Sequence, residues 1–388
     1  MTVTAPKGFR AAGVTAGIKA SGKPDVALVV NDGPDKNAAA VFTSNRVAAA
    51  PVHWSRQAIS DGRADAVILN SGGANACTGP QGFQNAHTTA EKTAERLGIS
   101  AGDVVVCSTG LIGEQLPMDK ILAGVDAASA GLAADGGHDA AVAIMTTDTV
   151  PKEAVFTGTD SEGAEFTIGG IAKGAGMLAP GLATMLVVLT TDAVTNSEML
   201  DAALRDAVRV TFNRADSDGC MSTNDTVVLL SSGASGAVPD AVDFTEGLTQ
   251  VCAELARKLI ADAEGASHDI AIRAFNAASE SDAEVVARAV ARSNLFKTAI
   301  FGKDPNWGRV LSAVGTTDAV FEPDELSVTI NGVEVCRKGG IGEDRSLVDL
   351  GPRDVLVEID LQAGDAEATI LTNDLTHDYV HENSAYSS

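Results

Sequence analysis

The chain has 388 residues, with 28 Lys+Arg against 52 Asp+Glu and a formal net charge of −24, which argues against a duplex nucleic-acid binder because phosphate recognition needs a basic face. Hydrophobic residues make up 45% and prolines number only 12, so a packed core is affordable and disorder is not expected; the length suggests about two domains, or one large α/β domain. Aromatics are only 4% of residues, which leaves few stacking platforms for single-stranded nucleic acid.

In chain order, the N-terminal MTVTAPKGFRAAG lacks the apolar core of a secretory signal. Residues 25–30 and 65–70 are apolar runs that end at turn residues and read as strands, and 83–97 reads as a helix stopped by Gly98. Another strand, 103–107, runs into Ser108-Thr109-Gly110, and alanine-rich helical patterns follow at 118–134 and 137–145. Segments 154–156 and 165–168 read as a strand pair, and 184–191 is a continuous apolar run of strand length. The most apolar stretch, 177–189, is too short and too interrupted by Gly and Pro to cross a bilayer. Beyond it come a helix at 197–211 capped by Asn196 or Ser197, a strand at 226–230, a long helix at 242–262, a strand at 266–275 and a helix at 281–292 capped by Ser281. From 326 to 372 apolar and polar residues alternate as in short strands. Elements occur in blocks as well as in alternation, so the expected class is α/β with α+β layering, a sandwich of two sheets flanked by helices.

Cys77, Cys107, Cys220, Cys252 and Cys336 are odd in number and widely spaced, with no C-x-x-C pair. Reduced thiols in a cytoplasmic protein are the expectation. Cys220 is expected to be a small buried residue.

The stretch most suggestive of chemistry is KGAGMLAPGLATML at 173–186. A lysine sits among glycines, a Pro-Gly turn follows, and Ala183 precedes Thr184 at the start of an apolar strand. A threonine hydroxyl is a weak nucleophile, but a freed α-amine on the same residue titrates near neutrality and can act as its base. Breaking the Ala183–Thr184 bond would create that arrangement. The plain alternative is a glycine loop feeding a core strand.

This motif resembles the self-cleavage motif of the ornithine acetyltransferase family, also called glutamate N-acetyltransferases, which act in arginine biosynthesis. The family's pattern also appears in NSGGANACTG (70–79), CSTGLIGE (107–114), MTTDT (145–149), STNDT (222–226), AEGA (263–266), GKDPNWGR (302–309) and THDYVHEN (376–383), in order through nearly the full length. The resemblance implies an Ntn-hydrolase-like two-sheet sandwich of the ornithine acetyltransferase/aminopeptidase type. It implies a precursor cut into an α chain, 1–183, and a β chain, 184–388, forming one intertwined unit that usually assembles as α2β2. Thr184 would take the acetyl group of N-acetylornithine and pass it to glutamate by ping-pong transfer, with Thr109 and Gly110 as the oxyanion hole. Lys173, Glu264, Asn383, Ser388 and one of Thr146 and Thr147 would contact substrate together with Thr184. Charge logic agrees for two of these, since Lys173 suits a carboxylate or oxyanion and Glu264 a cation. No cofactor is required, although acetyl-CoA is an alternative acetyl donor for some members.

His377 and His381 have the i,i+4 spacing of a helical metal pair, but no third ligand or HExxH motif accompanies them, and no metal is expected. The glycine-rich 71–79 segment lacks a phosphate-binding pattern and reads as close packing or a substrate-side loop. Cys220-Met221 stands where the family commonly has Asp-Thr. Two other functions remain open at this level: an amidase- or aminopeptidase-like hydrolase in which water resolves the acyl-enzyme, and an uncleaved protein that binds small acidic or amino-acid ligands.

Overall fold

Val, Leu and Ile runs without polar interruption become strands covered on both faces, and alanine-rich segments become the helices that lie close against them. The computed structural model describes residues 2–177 and 185–385. It divides into two units, one comprising the chain through Asn213 with Cys220–Leu259, the other Arg214–Gly219 and the chain from Ile260 onward.

The first unit runs β1 (Phe9–Val14), β2 (Val26–Asn31), β3 (Asn37–Phe42), α1 (Ala50–Ala58), β4 (Ala66–Ser71), α2 (Gly79–Leu97), β5 (Val104–Thr109), α3 (Met118–Ala130), α4 (Gly137–Ala143), β6 (Lys152–Thr159), β7 (Glu165–Lys173), β8 (Leu186–Thr191), α5 (Ser197–Val210), β9 (Thr226–Ser231) and α6 (Ala241–Ala261). One sheet has the order β1-β2-β4-β5 and the other β3-β9-β8-β7-β6. Parallel pairing is confined to β4/β5 and β8/β9; the other neighbours are antiparallel. Alternate residues of a strand face opposite ways. Val29, Val67, Leu69, Val105 and Cys107 of the first sheet therefore pack with Ile171, Leu186, Val188, Val228 and Leu230 of the second. The outer faces carry helices: Leu28, Ile68 and Val106 meet Ala86, Ala90 and Ala94 of α2 and Val125 of α3. Val187, Leu189 and Leu229 meet Leu200 and Leu204 of α5 and Phe244, Leu248 and Leu255 of α6. This is the expected two-sheet sandwich between helices. Gly98 ends α2 at φ +70°, as its sequence position predicts, and Asn196, not Ser197, caps α5 through its side chain.

The second unit runs β10 (Asp269–Ala277), α7 (Glu280–Ala291), α8 (Asn294–Phe301), α9 (Trp307–Val314), β11 (Ser327–Ile330), β12 (Val333–Arg337), β13 (Gly340–Ile341), β14 (Asp354–Asp360), β15 (Ala366–Asn373) and α10 (His377–Ala385). Its strands form a third sheet of order β13-β12-β11-β14-β10-β15. The alternating pattern of 326–372 thus builds a sheet of its own, with one apolar face packed on Val286 and Val290 of α7, Phe296 and Ile300 of α8 and Val310 of α9. α7 is capped by the Ser279 hydroxyl, which accepts from the Asp282 N–H, and not by Ser281.

Residues 183 and 184 and Ser388 lie outside the described residues. The strands on either side of the former, β7 and β8, are antiparallel neighbours paired from Ile168↔Thr191 to Lys173↔Leu186.

Candidate active site

Thr109 closes β5, and the chain turns at Gly110, whose φ of +129° disfavours any side chain. Space requires glycine as well, because a Cβ at Gly110 would lie 2.5 Å from the Gly73 nitrogen and 2.7 Å from the Gly72 carbonyl carbon. The close approach is used: Gly72 and Gly73 donate their N–H groups to the Thr109 carbonyl at 2.8 and 3.0 Å. The glycines of the 70–79 motif are therefore close packing for the 107–114 motif. Ser108 donates to Asn70 Oδ1 at 2.6 Å, and the Asn224 amide reaches the carbonyls of Ala74 and Ser108 at 2.6 and 2.8 Å. Three motifs distant in sequence thus share one hydrogen-bonded corner of the sandwich.

Lys173 ends β7 and is 1% exposed in its side chain. Its Nζ lies 2.7 Å from Thr146 Oγ1 and 3.4 Å from Thr109 Oγ1, so the structure joins three of the expected site residues. Of the two adjacent threonines, Thr146 is the one whose hydroxyl meets Lys173. Beneath them lies Asp148, fully buried, which the sequence reading passed over. Its carboxylate accepts from Lys152 Nζ at 2.6 Å, Gly174 N–H at 2.7 Å and Thr146 N–H at 3.0 Å, and stands 3.6 Å from Lys173 Nζ. Burial by itself pushes this carboxyl up, but Lys173, Lys152 and the Gly174 N–H together outweigh it and hold it below the ordinary carboxylate range. Lys19 lies near the same cluster and donates to the Met145 carbonyl at 2.6 Å; burial brings its amine down to about 8, against the opposing pull of Asp25.

A second buried acid stands at the start of β8. Asp225 Oδ1 accepts the Met185 N–H at 2.9 Å, while among the described residues Oδ2 is buried without a hydrogen-bond partner within normal distance. Burial pushes this carboxyl well above the ordinary range, with the Met185 N–H and Lys173 opposing.

In the second unit, Glu264 Oε2 accepts from Asn383 Nδ2 at 3.0 Å, bringing two more expected residues together. Gly265 permits this seat: its φ is +63° and a Cβ there would lie 2.2 Å from the Tyr379 nitrogen at the start of α10. Glu264 lines a cavity of about 300 Å³ with Ser217, Asp218, Arg292, Lys297, Asp374 and Tyr379.

Ala183, Thr184 and Ser388 lie outside the described residues. Cys220 is exposed, contrary to expectation; the loop that carries it is held from the neighbouring position, where the Asn45 amide donates to the Met221 carbonyl at 2.9 Å. His377 is on α10 as its spacing suggests, with its ring edge-on to Phe301, and among the described residues no three His, Cys, Asp or Glu side chains cluster to hold a metal. Among the described residues no helix is long and apolar enough to cross a membrane.

The ArgJ family matches residues 10–388. The arginine biosynthesis bifunctional protein ArgJ of Streptomyces coelicolor is 66% identical and that of Thermobifida fusca 65% identical, each over 100% of both chains. Among solved structures, the ornithine acetyltransferase of Mycobacterium tuberculosis complexed with ornithine is 58% identical, covering 46% of this chain and 94% of that one, with a TM-score of 0.44.

Proposed function

Because the chain belongs to the ArgJ family, and is thus an acetyltransferase of arginine biosynthesis, we propose that it cleaves itself before Thr184 and uses that residue to carry acetyl from N-acetylornithine to glutamate. In the cleavage, the Thr184 hydroxyl oxygen adds to the Ala183 carbonyl carbon and the C–N bond breaks. The nitrogen keeps the electron pair and takes up a proton, and water then hydrolyses the ester. The product carries a hydroxyl and a free α-amine on one residue, and the amine, with an ordinary pKa of about 8, serves as base for the hydroxyl.

In transfer, the Thr184 oxygen attacks the acetyl carbonyl, ornithine departs with a proton on its nitrogen, and the glutamate amine attacks the resulting ester to regenerate the hydroxyl. Each tetrahedral intermediate bears an oxyanion, for which the Thr109 hydroxyl and the Gly110 N–H are the proposed donors. The observation that carries this reading is the placement of Lys173 Nζ within 2.7 Å of Thr146 Oγ1 and 3.4 Å of Thr109 Oγ1. That is a buried cation among hydroxyls, suited to a carboxylate or an oxyanion. Glu264 and Asn383 are assigned the side-chain ammonium end of the donor, and Ser388 is assigned to substrate binding with them. The same reading makes the enzyme cytoplasmic, an α2β2 assembly, and independent of any obligatory cofactor, with acetyl-CoA as a second acetyl donor for glutamate.

The test is the denatured mass of freshly purified protein and of its Thr184→Ala variant. The reading expects two fragments from the wild type, ending at 183 and beginning at 184, and one chain from the variant. A single folded chain in both refutes it. Labelled acetyl must then pass from N-acetylornithine to glutamate; release as acetate regardless of glutamate would instead make the protein a hydrolase.

A further inference from the structure

The proposed reaction makes an unusual demand. The donor carries a side-chain ammonium and the acceptor a side-chain carboxylate, so opposite charges must be recognised in turn. Besides Asp218, the charged groups lining the 300 Å³ cavity of the second unit can be sorted by what already holds them. Arg292 is bound to Asp216 at 2.7 Å. Asp374 accepts from the backbone of Ser267 and His268 at 2.9 and 3.0 Å and lies 2.7 Å from His268 Nδ1. Among the described residues Glu264 holds only the exposed amide of Asn383.

Lys297 differs from all of these. It is 6% exposed, on the buried stripe of α8 beside Phe296 and Ile300. Its amine donates to the Ser217 carbonyl and, at 3.3 Å, to the Thr372 hydroxyl, both uncharged acceptors. Among the described residues no carboxylate lies within ion-pair distance of it. A buried ammonium satisfied only by neutral acceptors is held at a desolvation cost that an incoming anion relieves. Burial accordingly lowers its pKa to about 8, with the charges of Asp218, Asp216 and Asp374 opposing.

We infer that Lys297 reads the side-chain carboxylate of the acyl acceptor, in the same cavity where Glu264 reads the side-chain ammonium of the donor. The inference rests on the two-substrate reading above and adds a specificity residue to it. One cavity then offers each charge its own partner, and discrimination comes from the unmatched charge left behind by a wrong side chain.

Ping-pong kinetics separate the two half-reactions, because kcat/KM for each substrate reports only its own half. Lys297→Met is expected to lower kcat/KM for glutamate at least tenfold while changing that for N-acetylornithine less than twofold, and Lys297→Arg to restore part of the loss. The wild type should prefer glutamate over its neutral isostere glutamine at least tenfold, and Lys297→Met should erase that preference. Equal losses in both halves, or an intact preference for glutamate, overturn the inference while leaving the transfer reaction standing. Calorimetric titration of the wild type and Lys297→Met with glutamate decides the matter if the wild type transfers no acetyl. Binding that is lost in the variant supports the cavity's role by itself, and absence of glutamate binding to the wild type overturns it.

Discussion

Replacing Asp148 with Asn tests whether one buried carboxylate organises the Lys173 corner. The substitution keeps the size and one acceptor oxygen, but leaves the Lys152 and Lys173 amines, 0% and 1% exposed, without the charge they share. Breaking a buried ion pair by removing one partner costs about 3–5 kcal/mol. At roughly 2–4 °C per kcal/mol for a unit of this size, the melting temperature should fall by on the order of 10 °C. Urea unfolding followed by Trp54 fluorescence reads this unit, once Trp307 of the other unit is replaced by Phe. The sharper comparison is the double variant Asp148→Asn/Lys152→Met, which removes a charge of each sign and should be more stable than Asp148→Asn alone. The pH dependence follows from the sign of the shift. Asp148 titrates below its ordinary value in the folded protein, so its contribution is complete above the unfolded pKa of about 3.9 and is lost as pH falls through the folded one. The variant should therefore lose less stability on acidification than the wild type. A cost below about 1 kcal/mol, or a double variant as unstable as the sum of its singles, would refute the view that the carboxylate holds this corner together.

Gly110→Ala should reduce acetyl transfer by about 10²-fold or more, the scale of a lost oxyanion donor, because the new Cβ collides with the Gly72–Gly73 backbone; transfer at wild-type rate in a steady-state assay would remove Gly110 from the site. Thiol titration of native protein at pH 8 should find Cys77 and Cys220 fast and Cys107, Cys252 and Cys336 protected until unfolding. The Cys107 thiol in particular is pushed up to about 12 by burial.

Strands β2, β4, β5, β8 and β9 were legible because Val, Leu and Ile fill both faces. β1 and β3 were not: FRAAGV and NAAAVF carry neither a clear alternation nor β-branched density, and their pairing with β2 and β9 supplies what composition lacks. Ser279 and Ser281 each precede an acid by three residues, giving two equivalent capping signals. The chain uses the first because β10 ends at Ala277 and leaves only two residues before the helix. The alternation beyond residue 326 showed strands, but their gathering into a separate sheet depends on the long-range parallel pair β10/β14. Motif residues led to Thr109, Thr146 and Lys173 in the first unit and to Glu264 and Asn383 in the second. Asp148 and Asp225 lay inside the same motifs, yet one acid among 52 acidic residues carries no mark of burial. The available signal for Lys297 was its position on the apolar stripe of a short helix, where a solvated lysine would not be expected.

The pairing of β7 with β8 has a consequence for how the molecule comes into being. The central strand of its sheet is β8, with β9 on one side and β7 on the other. A cut between residues 183 and 184 would leave β3, β6 and β7 on one polypeptide and β8 and β9 on the other, interleaved in a single sheet. Before the cut, assembly of that sheet is first order, helped by the high effective concentration that a short tether provides. With the chain cut there, recovery from full unfolding would be a second-order encounter between two fragments, slower on dilution and exposed to competing aggregation. Under the proposed cleavage the peptide bond would work as a temporary tether, and the cleaved protein would be preserved by the height of its unfolding barrier more than by any ready route back.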